Sequence, residues 1–323
     1  MSAILVTGGA GYIGSHACKA LSRAGYTPVC YDNLERGHPW AVNWGPLEQG
    51  DILDRRRLDE VLRKYKPEAV MHFAGYIAVG ESVEKPELYH KINVDGSHSL
   101  LEAMVANGVN KIIFSSSAAI YGIPEQVPIP ESHPLNPINP YGKNKLDVEH
   151  MLHDFEKTFA MRSVSLRYFN AAGADPDGET GESHNPETHL IPLVLESAAG
   201  KTPDIRVFGK DYDTPDGTCI RDYIHVTDLV DAHMLALGSL LQDAKSATYN
   251  LGTGTGYSVL EVIAAARKVT GKEIPVMITD RRPGDATVLV CNSDRARSVL
   301  TWQPKHSDLE TIINTAWQWH KKL

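Results

Sequence analysis

The sequence predicts an α/β protein with a doubly wound parallel sheet in residues 1–169 and a smaller mixed α/β lobe in residues 170–323. Three observations carry this. Short, continuous apolar runs alternate with amphipathic stretches through the first half, as buried parallel strands alternate with crossover helices. A glycine-rich turn follows the first apolar run and opens the first amphipathic stretch. Beyond Asn170 the alternation loosens into long loops rich in Gly, Pro and Asp.

Taken in order, Ala3–Thr7 is a fully apolar strand, and Tyr12–Ala24 a helix with Ile13, Ala17, Ala20 and Leu21 on one face and Gly25 as its stop. Thr27–Asp32 and Ala69–Phe73 are further strands, and a helix over Val94–Asn107 ends before Gly108. Lys111–Ser116 is a strand, Leu146–Phe159 a helix whose start is prepared by Pro137 and Pro140, and Val164–Phe169 a strand again. Such βα repeats take right-handed crossovers. In the second half, "AAGADPDGETGESHNPETH" and "GKDYDTPDGTCIRD" are loops long enough to be functional. This lobe is expected to build on the same sheet, with Thr248–Leu251 returning to the first domain.

Composition narrows the function classes. The chain has 323 residues, 42% hydrophobic and 22% charged, with a net charge of −8 whose charges are scattered. That balance argues against nucleic-acid or membrane-surface partners. The N-terminal segment reads as a strand and not as a signal peptide, and no apolar run of about 18 residues occurs, so a cytoplasmic location is expected. Four separated cysteines suit reduced thiols. None of the 14 histidines falls in an HxxxH or HExxH arrangement, so no metal site is expected.

In "LVTGGAGYIGSH", Gly8, Gly11 and Gly14 form GxxGxxG, and Gly9, Gly11 and Gly14 also form GxGxxG. Such glycines permit a tight turn and let backbone amides approach a pyrophosphate at a helix N-terminus. Asp32 ends the next strand 18 residues past Gly14, where a carboxylate accepts from an adenosine ribose. The same carboxylate repels a 2′-phosphate, which favours NAD over NADP. These features specify a Rossmann-type dinucleotide site. "GDI", with Asp51 and Ile52, would flank the adenine, and Phe73, Ala74 and Gly75 of "HFAG" would lie beside the pyrophosphate. Asn93 reads equally as a cofactor contact or a helix cap.

Tyr141 and Lys145 are four residues apart at the start of a helix, hence on one face, one turn apart. A free phenol has a pKa of about 10, and a neighbouring ammonium together with a cationic nicotinamide favours its phenolate. Tyr141 would then serve as base for a sugar hydroxyl while hydride leaves the same carbon. Ser117, ending the neighbouring strand in "SSSAAIYG", would hold that hydroxyl or relay its proton.

TGGAGYIGSH, HFAG, SSSAAIYG, PYGKNK, RYFNAAGA, DGTCIRDYIHVTDL, YNLGTG and RRPGD run in the order of the extended short-chain dehydrogenase/reductase family. The resemblance spans essentially the whole chain. It implies a tightly held NAD and exchange of UDP-glucose with UDP-galactose by inversion at C4 through a 4-keto sugar. By position it implies Tyr141 as base, Lys145 as its ribose-binding partner and Ser117 as the serine that bonds the sugar hydroxyl. Tyr12, Ile13, Asn33 and Tyr168 join the cofactor residues. Arg221 and Arg282 resemble the arginines that hold the UDP diphosphate, with Phe208 near the uracil, and Asn170, His189, Leu190 and Asp285 in the substrate motifs.

Leu289, four residues after Asp285, falls where a bulky tyrosine excludes an N-acetyl group, which implies weaker activity on acetamido sugars. A homodimer through the helices near 94–107 and 146–159 is also implied; of Leu152, Phe155 and Phe159, most are expected in the core. The sequence departs from the family at Ile77, where a lysine is common, and at His189, where an asparagine is common. The dehydratases of the family carry Asp-Glu where this chain has Ala118 and Ala119, which transfer no protons, so dehydration is disfavoured. A nucleotide sensor on the same fold would have no need of Ser117, Tyr141 and Lys145 together.

Overall fold

The computed structural model describes residues 2–282 and 284–323. The chain folds as two units: Met1–Gly122 with Pro134–Arg167 and Val230–Tyr249, and Ile123–His133 with Tyr168–Leu229 and Asn250–Leu323.

The first unit is organised by strands β1 (Ala3–Thr7), β2 (Thr27–Asp32), β3 (Leu47–Gln49), β4 (Ala69–His72), β5 (Lys111–Ser117) and β6 (Arg162–Tyr168). With β10 (Ala247–Leu251), they form a sheet of order β10-β6-β5-β4-β1-β2-β3. β1 pairs in parallel with both β2 and β4, so the strand order reverses between β1 and β4. Doubly wound sheets bind ligands beyond the carboxyl ends of the strands at such a reversal. The helices of this part are α1 (Tyr12–Arg23), α2 (Arg55–Tyr65), the short α3 (Val79–Glu84) and α4 (Pro86–His90), α5 (Gly96–Ala106) and α6 (Pro140–Phe159).

Most expected elements appear within a few residues of their predicted bounds. α6 starts six residues before the expected Leu146, because the Asn139 side chain accepts from Gly142 N at 2.8 Å and Pro140 supplies a preset φ at the first turn. α5 starts later than Val94, because Lys91–Asp95 winds as a π-type segment. β3 and α2 were not anticipated. β3 is only three residues long, whereas α2 buries Leu58, Val61 and Leu62 and is capped by Asp54, which accepts from Arg57 N. Leu5, Val29, Val70, Ile112 and Phe114 of the strands pack with Leu101, Met104, Val148, Leu152 and Phe155 of the helices. Each such side chain contributes about 1.5–3 kcal/mol on burial. Leu152 and Phe155 are thus core, as expected; Phe159 is 48% exposed.

The second unit does not extend the main sheet, contrary to expectation. It builds a sheet around β9 (Ile220–His225), with β7 (Asn170–Ala172), β11 (Gly256–Ser258) and β13 (Val288–Leu289) as partners, and a separate pair of β8 (Ile205–Phe208) with β12 (Val276–Thr279). These partners are two to four residues long and bounded by Gly- and Pro-containing loops, so they register only locally. Of this half, the strand expected to return does so, as β10. α8 (Val226–Leu241) precedes it, and α7 (Leu190–Ala198), α9 (Val259–Thr270), α10 (Asp294–Val299) and α11 (Leu309–His320) follow the loops. Ile191, Val194, Leu195, Val262, Ile263, Ile312 and Ile313 form the core of this unit.

Candidate active site

The turn after β1 is shaped by close packing. A Cβ on Gly8 would meet Ala74 N at 2.6 Å, and one on Gly14 would meet Gly8 O at 2.1 Å, so neither position admits a side chain. Gly8 also has φ +72°, in the left-handed region that glycine favours. Gly11 caps α1 with no side-chain bond, and the first turn holds no acidic residue. Its amides and the positive end of the helix dipole therefore suit an anion. Tyr12 and Ile13 begin that helix.

Asp32 ends β2, only 8% exposed, accepting from Ala10 N at 3.1 Å and Leu34 N at 2.8 Å. Burial raises its pKa against those two bonds. Asp51 accepts from Leu53 N at 2.8 Å and from the Asn33 amide at 3.4 Å, and Ile52 is buried. Phe73 lies tilted against His233, 4.9 Å between ring centroids. Asn93 caps no helix: its amide clasps the backbone of Tyr76, accepting from N at 2.7 Å and donating to O at 3.0 Å, which fixes the loop after Gly75. Ile77 follows, 40% exposed. A glycine cradle closed to side chains, an uncapped helix start and a carboxylate at the end of β2 together fit NAD.

Ser117, Tyr141 and Lys145 lie at the end of β5 and in the first two turns of α6. The Ser117 side chain lies near enough to the Tyr141 phenol to pull its pKa down, and its hydroxyl accepts from Ala119 N at 3.1 Å. Lys145, 4% exposed, donates to Ser115 O at 2.8 Å, and its ammonium lies 5.7 Å from the Tyr141 ring centre and 5.0 Å from that of Phe114. Burial pulls Lys145 down to about 8. The expected depression of Tyr141 does not arise from the chain alone. Enclosure of the phenol raises its pKa, and only the neighbouring Ser117 side chain opposes this. The reason is geometric: Lys145 spends its bond on a carbonyl and approaches the ring rather than the hydroxyl.

Beneath this group lies a polar network that the sequence did not reveal. Glu149, one turn beyond Lys145, takes both prongs of the Arg167 guanidinium at 2.9 and 2.5 Å and the Ser116 hydroxyl at 2.5 Å. Arg167 also donates to the Tyr121 hydroxyl at 2.9 Å. The only signal was Glu149 four residues after Lys145 on one helix face. Ser82 accepts from Tyr141 N at 3.3 Å, and no sequence pattern pointed to it.

In the second unit, Arg221, Arg282, Asp285 and Phe208 lie near one another. Asp285 bridges the arginines, 3.6 Å from Arg221 and 3.1 Å from Arg282. Arg282 lies over the Phe208 ring, 4.6 Å from its centre. Arg221 is anchored by donating to the carbonyls of Ile220 and Ala286 at 2.9 and 2.8 Å. Leu289 pairs with Arg221 across β13 and β9. Asn170 spends its amide on Asp222 O at 3.0 Å. His189 and Leu190 sit where α7 begins, and the His189 imidazole is clasped by Glu182 and Glu187. Burial opposes its charge, but the two carboxylates outweigh it and hold the ring protonated, with a pKa raised to about 10.

The four cysteines are free and buried, and among the described residues no helix is long and apolar enough to cross a membrane. A profile of the NAD dependent epimerase/dehydratase family matches residues 4–252. A UDP-glucose 4-epimerase of Rhizobium leguminosarum bv. trifolii is 53% identical over 319 residues, covering 99% of this chain and 97% of that protein. The crystal structure of UDP-glucose 4-epimerase from Brucella ovis in complex with NAD superposes with a TM-score of 0.97 at 50% identity, over 99% of both chains. The UDP-Glc/GlcNAc 4-epimerase of Campylobacter jejuni gives a TM-score of 0.88 at 40% identity, over the whole of both chains. With a family profile across most of its length and a relative at 53% identity end to end, the chain belongs to the NAD dependent epimerase/dehydratase family.

Proposed function

We propose that the chain is an NAD-dependent UDP-glucose 4-epimerase, an isomerase that exchanges UDP-glucose and UDP-galactose and acts more weakly on the N-acetylated pair. The observation that carries this reading is the Ser117–Tyr141–Lys145 group, with the serine side chain beside an enclosed phenol and the ammonium 5.7 Å from its ring centre. Bound NAD supplies a hydride acceptor and donor for C4 of the hexose, together with a positive ring charge that favours the phenolate. Gly8, Gly11, Tyr12, Ile13 and Gly14 would hold its pyrophosphate, Asp32 and Asn33 its adenosine ribose, Asp51 and Ile52 its adenine. Phe73, Ala74, Gly75, Lys145 and Tyr168 would line the remainder, with Asn93 fixing the loop.

Tyr141 takes the proton of the C4 hydroxyl as the sugar becomes a 4-keto intermediate, and gives it back after the sugar has turned. Ser117 holds that oxygen within reach of the phenol. Arg221 and Arg282 take the diphosphate through their forks, and Phe208 borders the uracil. Asn170, His189, Leu190, Leu289 and Asp285 complete the substrate contacts. Asp285, with one oxygen 3.6 Å from Arg221 and the other 3.1 Å from Arg282, would keep the two arginines oriented. Ala118 and Ala119 offer no second proton donor, which supports epimerisation over dehydration. Four free cysteines suit the cytoplasm. The solvent-facing parts of α5 and α6, Phe159 included, support a homodimer.

The experiment is direct. Purified protein mixed with UDP-galactose is expected to form UDP-glucose without added cofactor, and acid-denatured protein to release NAD. No product, or release of NADP, would overturn the reading.

A further inference from the structure

We infer that Glu182, His184, Glu187 and His189 form a binding site for one divalent cation of the zinc class. His184 Nδ1 lies 3.0 Å from Glu182 Oε1 and 3.7 Å from Glu187 Oε2. His189 Nδ1 lies 2.8 Å from Glu182 Oε1 and 2.9 Å from Glu187 Oε1. One donor atom from each residue falls within 4.8 Å of the other three. Ligands at about 2.0–2.1 Å from a tetrahedral ion stand roughly 3.3 Å from one another. The four nitrogen–oxygen separations, which involve both oxygens of Glu187, straddle that edge length, so an ion is accommodated by side-chain adjustment within the cluster. Two imidazoles with two carboxylates make a borderline donor set. It suits zinc and its first-row neighbours, whereas calcium and magnesium take oxygen ligands.

The four side chains come from a coil between β7 and α7, where neither helix nor strand geometry would gather them. The backbone holds them instead. Glu187 Oε1 accepts from Thr188 N at 2.7 Å and His189 N at 2.8 Å. The Glu182 carbonyl accepts from Trp319 Nε1 at 2.9 Å, and a Cβ on the preceding Gly181 would meet the Trp319 ring at 2.4 Å. The carboxylate of Glu182 is 8% exposed, as is that of Glu187. The imidazoles are more open, 21% exposed at His184 and 41% at His189, and ligands already gathered by the backbone lower the cost of binding. The helical spacings tested in the sequence could not reveal this set, because ExHxxExH places its ligands by loop geometry. A cation here displaces the imidazole protons and pins the segment that leads into α7. The inference does not depend on the reaction assigned above.

The test uses the full chain with its NAD retained, stripped with EDTA, desalted and titrated with zinc chloride in a calorimeter. One zinc per chain is expected, lost in both His184→Ala and Glu182→Gln. Cobalt(II) loading of the unmodified protein is expected to give the intense visible bands of a tetrahedral ion. A protein that takes no zinc would instead hold a closed ion-pair tetrad, and the inference fails. It fails equally if both variants bind zinc at the unmodified stoichiometry. Should a variant not fold, as judged by circular dichroism, the cobalt spectrum decides, and weak octahedral bands or none overturn the proposal.

Discussion

Lys145 is almost wholly enclosed, with its ammonium on a backbone carbonyl, whereas Arg282 keeps 57% of its side chain exposed and lies over Phe208 beside Asp285. The two groups belong to different units and face different physical demands. The proposed proton transfer needs heavy atoms within about 2.6–3.2 Å, and its members sit on a strand end and the first two turns of a helix, where Glu149 and Arg167 pair. Charge neutralisation falls off slowly with distance, so its members tolerate a loop. Between these extremes stands Arg221, 15% exposed and tied to two carbonyls. The rigidity of each group thus matches the distance dependence of the task proposed for it.

The strongest way to break that contrast is at the rigid group. Tyr141→Phe removes one oxygen and little volume, so UDP-sugar binding should survive while turnover falls by about 10²–10⁴-fold. A rate assay beside a binding titration separates the two effects. Retention of more than about a tenth of the rate would mean that the phenol is not the base.

Next in size is the arginine pair, where exposure should grade the loss. A charge-assisted hydrogen bond contributes about 1.5–3 kcal/mol, or roughly 10–150-fold in affinity, and less where water screens it. Arg221→Ala should therefore raise KM for UDP-galactose within that range with a smaller change in kcat. Arg282→Ala should raise it by only a few fold. Steady-state kinetics on both variants check the ranking; equal effects would show that exposure does not set the contribution of these arginines.

How far this was legible depended on whether local pattern or distant packing decides a residue's role. β1, β2 and the glycine turn were readable because continuous apolar runs and φ requirements are local. Tyr141 and Lys145 were readable because the i, i+4 relation is a property of one helix. Their proton affinities were not, since these depend on the Ser115 carbonyl and on enclosure contributed by other elements. "DGTCIRDYIHVTDL" shows the same limit. Asp222 accepts from Thr253 N, Gly254 N and Cys291 N, and Asp228 from Lys305 N and His306 N. Much of that motif staples loops, and Arg221 is its contribution to the proposed diphosphate site. Asn93 illustrates the converse, a side chain read as cofactor contact or cap that clasps a backbone segment 17 residues upstream.

The smallest expected effect probes the flexible side of the contrast through substrate breadth. Leu289 is half-buried on the two-residue strand β13, beside Arg221 of β9. Leucine is smaller than tyrosine, yet its branched end still fills part of the space that an acetamido group would need. Overpacking costs about 1–3 kcal/mol, so the unmodified protein should turn over the N-acetylated UDP-hexoses roughly 5–150-fold less well than UDP-glucose and UDP-galactose. Leu289→Tyr adds a ring to that wall and should abolish the weaker activity while leaving the stronger one within about twofold, because the C2 hydroxyl of the unmodified hexoses occupies far less volume. Competing the two substrate pairs in one reaction and reading the product ratio by chromatography measures this without reference to enzyme concentration. A ratio unchanged by the substitution, or equal rates in the unmodified protein, would place the gate at a residue other than Leu289.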